Sequence, residues 1–158
     1  MSFRYAHLVP APKRIGQVKP GLGGASSIPA NTCFISSFWT PNLKTYRYVR
    51  FIITAGAAGN LQAGIYNELF QAVKLSAAQP ITGPGKTTVD LGAFSLPAGN
   101  YWIALAVDTI TNFYGMSGNS LRLGNTSKSC LTSYPLPNTL TIAVPSETVG
   151  PNIMLEAA

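Results

Sequence analysis

Short apolar runs of strand length, separated by turns rich in glycine and proline, constrain the fold of this chain most strongly. The longest run, KTYRYVRFIIT at 44–54, is rich in the aromatic and β-branched residues that favour strands. The run YWIALAV at 101–107 is apolar at nearly every position, which is typical of a buried central strand. Repeated short strands with turns between them predict an all-β fold, and we expect a jelly-roll-like β-sandwich.

Further strands are predicted along the chain, and one region is ambiguous. The predicted segments are 31–39, 61–67, 69–75, 87–94, 120–123, 139–144 and 153–156. We expect 61–67 and 69–75 to pair across a tight turn at Asn67 and Glu68. The stretch 67–78 also permits a helix, because its apolar residues fit neither period cleanly.

Positive charge is concentrated at the front of the chain. Residues 1–67 contain seven basic residues and no acidic residue, whereas 68–158 hold four basic and five acidic ones, so the net charge of +6 comes from the front. Residues 1–24 follow no regular period and include three prolines and four glycines. Ordering such a segment costs about 1–2 kcal/mol per residue, so a partner surface is needed to fix it. We therefore predict an extended basic N-terminal arm at 1–24, followed by a β-sandwich domain at 25–158.

The arm and the sparse charge of the whole chain point to assembly with other proteins. Only 10% of the residues are charged, against about 25% in a typical protein. A surface with so little charge tends to associate, which favours a covered surface. The arm residues predicted to contact a partner are Arg4, Tyr5, Lys13, Arg14 and Lys19.

The residue types needed for catalysis or metal binding are scarce. The one histidine, His7, lies in the arm, where no rigid scaffold holds it as a general base. Asp90 and Asp108 lie at or near strand ends and could form the carboxylate pair of a glycosidase, but ordinary turn roles are favoured. The five acids are too dispersed for a calcium site. We expect no enzymatic activity, no cofactor and no metal.

Two patterns resemble nucleotide or nucleic-acid sites without fitting them. The segment 83–88 (GPGKTT) ends like a phosphate-binding loop, but Pro80 stands where the first glycine is required and a strand pattern follows. Arg47 and Arg50 alternate with aromatic residues, as in sheets that stack bases. In a regular strand Tyr46, Tyr48 and Arg50 share one face, and each face mixes one arginine with apolar groups. We expect these arginines to cover apolar surface and predict no nucleic-acid partner.

Cysteine spacing and apolar windows add little. Cys33 and Cys130 match no metal or redox motif, so two buried thiols are expected, with a disulfide between them left open. The N-terminus lacks the apolar region of a secretory signal, and no window approaches the length of a transmembrane helix. No membrane partner is expected.

Several short motifs in the second half resemble a β-sandwich module of tailed-bacteriophage structural proteins. The motifs are AGIYN at 63–67, VDL at 89–91 and LPAGNYWIALAVD at 96–108. The ending is also similar, with LRLG at 121–124, LP at 136–137 and PNIMLE at 151–156. The resemblance covers about 44–158, excludes the arm, and rests on turn and core residues that specify fold better than role.

The resemblance implies a non-enzymatic virion structural protein. The leading expectation is a capsid decoration (cement) protein, a homotrimer assembled in the host cytoplasm and bound to the outside of the head. Its partners would be the major capsid protein and neighbouring copies of itself. The alternative is a tail fibre or appendage module that binds a host receptor or glycan. Trp39, at a strand end, is the predicted exposed binding aromatic, whereas Trp102 is expected in the core.

Overall fold

The computed structural model describes residues 25–56, 58–117, 127–130, 134–141, 149–151 and 153–158. The described part is all-β, and its strands form two antiparallel sheets, so the predicted β-sandwich is confirmed. The strands are β1 (Ala25–Ile28), β2 (Thr32–Thr40), β3 (Lys44–Gly56), β4 (Asn60–Tyr66), β5 (Ala72–Leu75), β6 (Gln79–Pro80), β7 (Gly85–Leu96), β8 (Gly99–Val107), β9 (Thr111–Ser117), β10 (Ser127–Cys130), β11 (Val149–Pro151) and β12 (Met154–Ala157).

The two sheets are built from strands that are scattered along the sequence. The first sheet has the order β1-β9-β3-β12, with β7 paired to β3 and β11 paired to β9. The second sheet has the order β10-β2-β8-β4-β5, with β6 paired to β4. From β2 to β4 and again from β7 to β10, each strand joins the opposite sheet from its predecessor, which is the jelly-roll-like feature of the fold.

A single apolar core lies between the sheets. Strand β8 is central in the second sheet, between β2 and β4, as its continuous apolar sequence predicts. Its Ile103, Leu105 and Val107 face the core, while Ala104 and Ala106 are buried on the opposite face. In the first sheet, alternate residues of strand β3 face the same core, namely Val49, Phe51 and Ile53.

The predicted face assignment for the start of β3 is wrong at two residues, Tyr46 and Arg47. Arg47 was assigned to the face of Val49 but lies on the exposed outer face beside Tyr48. Tyr46 is 2% exposed and packs in the core with Val49, although regular alternation would place it outward with Tyr48. The register with β7 shifts between Tyr46 and Tyr48, where three β7 residues lie opposite a single residue of β3. Gly92, at the centre of those three, has φ of +69°, a conformation that glycine adopts without strain.

Away from the long apolar runs, some predicted strands match the structure and several observed strands were not predicted. The 153–156 segment matches β12 within one residue, and the GPGKTT segment enters strand β7 rather than a helix. Strands β1, β6, β10 and β11 were not predicted because they are only two to four residues long. Strand β9 (TNFYGMS) was not predicted because its apolar and polar residues do not alternate. The predicted strand at 120–123 lies outside the described residues, as does 142–144. Within 139–141 the predicted strand is replaced by an isolated bridge between Thr139 and Gln71.

A second apolar cluster covers the outer face of the second sheet. Residues 134–141, here called the strap, lie across this face and place Leu136 and Leu140 against the buried Cys33, Ile35 and Ala104. The strap lies so close that a Cβ on Gly64 would meet Leu75 Cδ2 at 2.6 Å and Leu136 Cδ1 at 3.1 Å. The cluster is completed by partly buried side chains from the strap and the sheet, namely Phe70, Ala72, Leu75, Trp102 and Tyr134.

Hydrogen bonds fix the strap to the sheet. The Gln62 side chain donates to the Ser76 carbonyl (2.8 Å) and accepts from the Leu136 backbone N–H (2.7 Å). The Tyr66 hydroxyl donates to the Pro137 carbonyl at 2.7 Å, and backbone bonds join Ala72 to Asn138 and Leu140 to Phe70. Buried polar groups need hydrogen-bond partners, so the bonds from Gln62 and Tyr66 fix the position of the strap on the sheet.

The remaining sequence expectations concern the cysteines and the arm. Cys33 is a buried free thiol, and the backbone register of β2 and β10 places Cys130 directly opposite it. The arm at 1–24 lies outside the described residues. Over the part of the chain that is described, no helix is long and apolar enough to cross a membrane.

Candidate binding site at the Trp39 end of the second sheet

The outer face of the second sheet changes character from one end to the other. Alternation along β2 places Cys33, Ile35, Ser37 and Trp39 on this face. The first two are buried beneath the strap, whereas the Trp39 side chain is 59% exposed. The sheet therefore presents a large aromatic surface just where its apolar cover ends, which is the position that was predicted for an exposed aromatic.

Trp39 stands beside a polar pair. In the register of β2 and β8, Trp39 is directly opposite Asn100, so their side chains are neighbours on the outer face. On the other side of β8, Asn100 Nδ2 donates a hydrogen bond of 2.8 Å to Glu68 Oε1. Trp39, Asn100 and Glu68 thus form a row across the end of the sheet, and both polar side chains are exposed.

The loop that carries Glu68 differs from the predicted tight turn. Strand β4 ends at Tyr66 and β5 begins at Ala72, so the connection spans Asn67 to Gln71. Asn67 Oδ1 accepts hydrogen bonds from the backbone N–H groups of Leu69 (2.9 Å) and Gln71 (3.0 Å). An asparagine that bonds its own backbone in this way shapes a local turn and holds Glu68 in place.

The same loop is anchored to the sheet by an aromatic contact. Phe70 adopts a left-handed backbone with φ of +59°, and its ring packs against Trp102 with centroids 5.3 Å apart. A non-glycine residue holds this conformation when its surroundings compensate for the strain, and the ring contact supplies such compensation. Trp102, which was expected in the core, is partly buried and packs against the second apolar cluster on the outer face of the sheet.

A shallow groove of about 330 Å³ runs between this loop and the turn before β8. Its lining consists of Asn67, Glu68, Leu69, Gly99, Asn100 and Tyr101. Leu69 is 72% exposed at the rim, so the groove combines an apolar edge with the polar pair. The volume is at the lower end of the range of about 300–1,000 Å³ for small-ligand sites.

The acids that were weighed as a catalytic pair do not come together. Asp90 is on the first sheet, where Arg47 holds it through a forked contact (Nη2 to Oδ2, 2.8 Å). The Arg47 guanidinium, and after it the Gly92 backbone N–H, keep the pKa of Asp90 below its usual value. Asp108 follows β8 of the second sheet and accepts from the Asn60 backbone and side chain, which lower its pKa. Both are structural acids with their own partners.

The arginines of β3 are also engaged. Arg47 pairs with Asp90 and Arg50 with Glu156 (Nε to Oε2, 2.7 Å). The guanidinium carbon of Arg47 lies 5.0 Å from the centre of the Tyr48 ring, and that of Arg50 lies 5.9 Å from it. Both arginines are therefore already paired with carboxylates, and the absence of a nucleic-acid partner stays a prediction.

Two further points concern the predicted arm residues and metal binding. Arg4, Tyr5, Lys13, Arg14 and Lys19 lie in the segment that the structure does not describe. Among the described residues, no group of three or more histidine, cysteine or acidic side chains could hold a metal ion.

Sequence reasoning missed Glu68 and Asn100 as site residues. In the sequence, Glu68 is assigned only to the turn after 61–67 and to the five dispersed acids, and Asn100 belongs only to the LPAGNYWIALAVD motif. Their pairing depends on strand register, because β8 places Asn100 between Trp39 and the loop after β4. The one available signal was the NEL tripeptide at 67–69, where an asparagine that favours turns precedes an acid and an exposed leucine.

Comparison with known proteins gives a likeness of fold alone. No protein-family model and no curated protein matches the chain. A structure of the cysteine protease and lectin-like domains of Cwp84, a surface-layer-associated protein of Clostridium difficile, aligns with 84% of this chain at a TM-score of 0.52 and 12% identity. A second clostridial Cwp84 structure, obtained after propeptide cleavage, aligns over 84% at a TM-score of 0.51 and 15% identity. The chain spans 34% and 38% of these two proteins, respectively.

Proposed function

We propose that this chain is a non-catalytic binding module that recognises glycans at the Trp39 end of its second sheet. The observation that carries the proposal is the exposed Trp39 indole beside the hydrogen-bonded Asn100–Glu68 pair. An exposed aromatic face packs against the C–H groups of a sugar ring, while amide and carboxylate groups bond its hydroxyls.

The construction of the site favours binding. The Asn67 hydrogen bonds and the Phe70–Trp102 contact fix the loop before a ligand arrives. A site that is already ordered avoids much of the entropy cost of association. The fold likeness to a protein that includes a lectin-like domain agrees with a binding role, although it concerns architecture only.

A binding role without catalysis also fits the chemistry of the groove. Glu68 is the one carboxylate among the groove-lining residues, whereas glycoside hydrolysis usually requires two facing carboxyl groups. Asp90 and Asp108 are held elsewhere by their own hydrogen bonds.

The test is binding of the full chain to an array of defined oligosaccharides, comparing the wild type with Trp39→Ala. We expect at least about a tenfold loss of binding for the variant, since a central aromatic anchor commonly dominates affinity. Ile110→Ala is the matched control, because Ile110 is 60% exposed but lies beyond the opposite end of β8. Binding that survives Trp39→Ala, or that falls equally in both variants, would refute the proposed site.

A second candidate, a capsid decoration protein, is favoured by a different observation. Seven basic residues and no acid precede Glu68, and residues 1–24 form a basic segment directly before β1. Such a segment suits docking on an acidic protein surface of the head, with the sandwich as a rigid body that oligomerises there.

Copy number in purified virions separates the two candidates. The measurement is quantitative mass spectrometry of this chain relative to the major capsid protein. A ratio near one, or a simple fraction of it, supports a lattice-wide decoration protein. A few to a few dozen copies would place the chain on an appendage and favour receptor glycan binding, and absence from virions would exclude both virion roles.

A further inference from the structure

The Asn100–Glu68 pair retains unused hydrogen-bonding capacity. An amide offers two N–H donors and a carbonyl acceptor, whereas an ionised carboxylate only accepts. Their mutual bond uses one Asn100 hydrogen and Glu68 Oε1. In the part of the chain that is described, the second Asn100 N–H, its Oδ1 and Glu68 Oε2 are left to a ligand.

The pair also sets the charge of the groove. The ion pairs of the described residues, Arg47–Asp90 and Arg50–Glu156, both lie on the first sheet, and Glu68 belongs to neither. The groove lining holds no lysine or arginine. Among the described residues, the groove lining therefore carries a negative charge, although the chain as a whole has a net charge of +6. An acidic ligand would meet a like charge here, whereas a neutral one would not.

We infer that the Glu68–Asn100 pair makes this site selective for neutral sugars bearing two adjacent hydroxyl groups, and that Glu68 excludes acidic sugars. The inference rests on the proposed glycan-binding function and specifies its ligand class. Glu68 Oε2 accepts one hydroxyl, Asn100 bonds the adjacent one, and Trp39 on the far side of Asn100 supports the ring. Bidentate contact of this kind fixes orientation as well as affinity.

The test uses the full chain at about 0.15 M salt, where surface charge is screened beyond about 8 Å. The neutral probes are dextran and mannan, and the acidic probes are polygalacturonate and polysialic acid. Because the basic front of the chain can adhere to polyanions, only the binding that Trp39→Ala removes is counted. Wild type is compared with Glu68→Gln, which keeps an oxygen for Asn100 but removes the charge.

We expect the wild type to bind the neutral probes in a Trp39-dependent way and to bind the acidic probes weakly. Glu68→Gln should raise the ratio of acidic to neutral binding by roughly fivefold, the size of one unit-charge repulsion at about 4 Å in water. Glu156→Gln, which removes an acid from the first sheet, should leave this ratio unchanged.

The possible outcomes separate selectivity for neutral sugars from the proposed glycan-binding function. Trp39-dependent binding that prefers acidic probes in the wild type, or a ratio that Glu68→Gln does not move, overturns the inference and leaves glycan binding intact. If no probe and no arrayed oligosaccharide binds in a Trp39-dependent way, the proposed function itself fails.

Discussion

The outer face of the second sheet is apolar and lies beneath the strap, whereas the outer face of the first sheet is exposed and carries ion pairs. On the second sheet, Cys33, Ile35 and Ala104 are 0–1% exposed because Leu136 and Leu140 cover them. On the first sheet, the side chains of Arg50 and Glu156 are 46% and 45% exposed. Among the described residues, the strap thus covers the outer face of the second sheet, and the ion-paired outer face of the first sheet is exposed.

This difference indicates that the covered face contributes most to the free energy of unfolding, whereas exposed surface is available for recognition. Apolar burial under the strap is worth about 25 cal/mol for each Å² removed from water, whereas exposed ion pairs add little. Trp39 lies on the same outer face of the second sheet as the residues beneath the strap, but the strap does not cover it. Three substitutions test this division, beginning with the largest expected effect.

Leu136→Ala should destabilise the domain by about 2–4 kcal/mol, because it removes a buried side chain and leaves a cavity under the strap. The free energy of unfolding from urea titration measures the change. Leu43→Ala is the control, since Leu43 is 71% exposed and its loss should cost less than about 0.5 kcal/mol. Equal effects in the two variants would mean that the strap does not form a core.

Gln62→Leu should cost about 1–3 kcal/mol while preserving side-chain size. It leaves the Leu136 N–H and the Ser76 carbonyl without their partner, and a buried unsatisfied polar group is expensive. Urea unfolding and amide exchange at Leu136 report the change. If Leu136 exchange is not faster in the variant, then this hydrogen bond does not hold the strap.

Arg47→Gln on the first sheet should alter titration more than stability. Asp90 has a lowered pKa in the folded protein, so its charged form stabilises the fold above the unfolded value of about 3.9 and this contribution is lost as the pH falls through the folded pKa. The substitution removes the largest cause, so the pKa of Asp90 should rise. It should stay partly lowered, because the Gly92 N–H still donates to Oδ1 at 2.7 Å.

NMR titration of the carboxyl carbons measures this effect, with Asp108 as an internal reference. The pKa of Asp108 is lowered by Asn60 and should not move in Arg47→Gln. An unchanged pKa at Asp90 would show that the forked contact with Arg47 does not persist in solution.

The same division explains what could be predicted from the sequence. The burial of β8 follows from YWIALAV alone, because a run without polar residues has to be covered on both faces. The strap could not be foreseen, since 134–141 contacts β4 from about 70 residues away and its apolar residues are few. Short local windows carry no information about such distant partners.

The errors at Tyr46 and Glu68 share one physical cause. Face assignment assumes strict alternation, and a bulge in β7 centred on Gly92 shifts the register of every later β3 residue relative to Tyr46. Likewise, the wider Asn67–Gln71 turn carries Glu68 to Asn100, a contact that the predicted two-residue turn does not anticipate. Trp39 was easier to place, since a tryptophan beside TPN at a strand end is often exposed.

Strand β3 also has a consequence for the order in which the protein folds. Its residues 46–50 pair with β12, which lies about one hundred residues later in the sequence. Pairings between such distant segments must close long loops, so domains built from them fold slowly, in milliseconds to seconds. During synthesis this edge of β3 remains unpaired until β12 has emerged from the ribosome. Unfinished chains can therefore associate through the unpaired edge at 46–50. In the folded protein β12 covers this edge, so the risk of aggregation is confined to synthesis and folding.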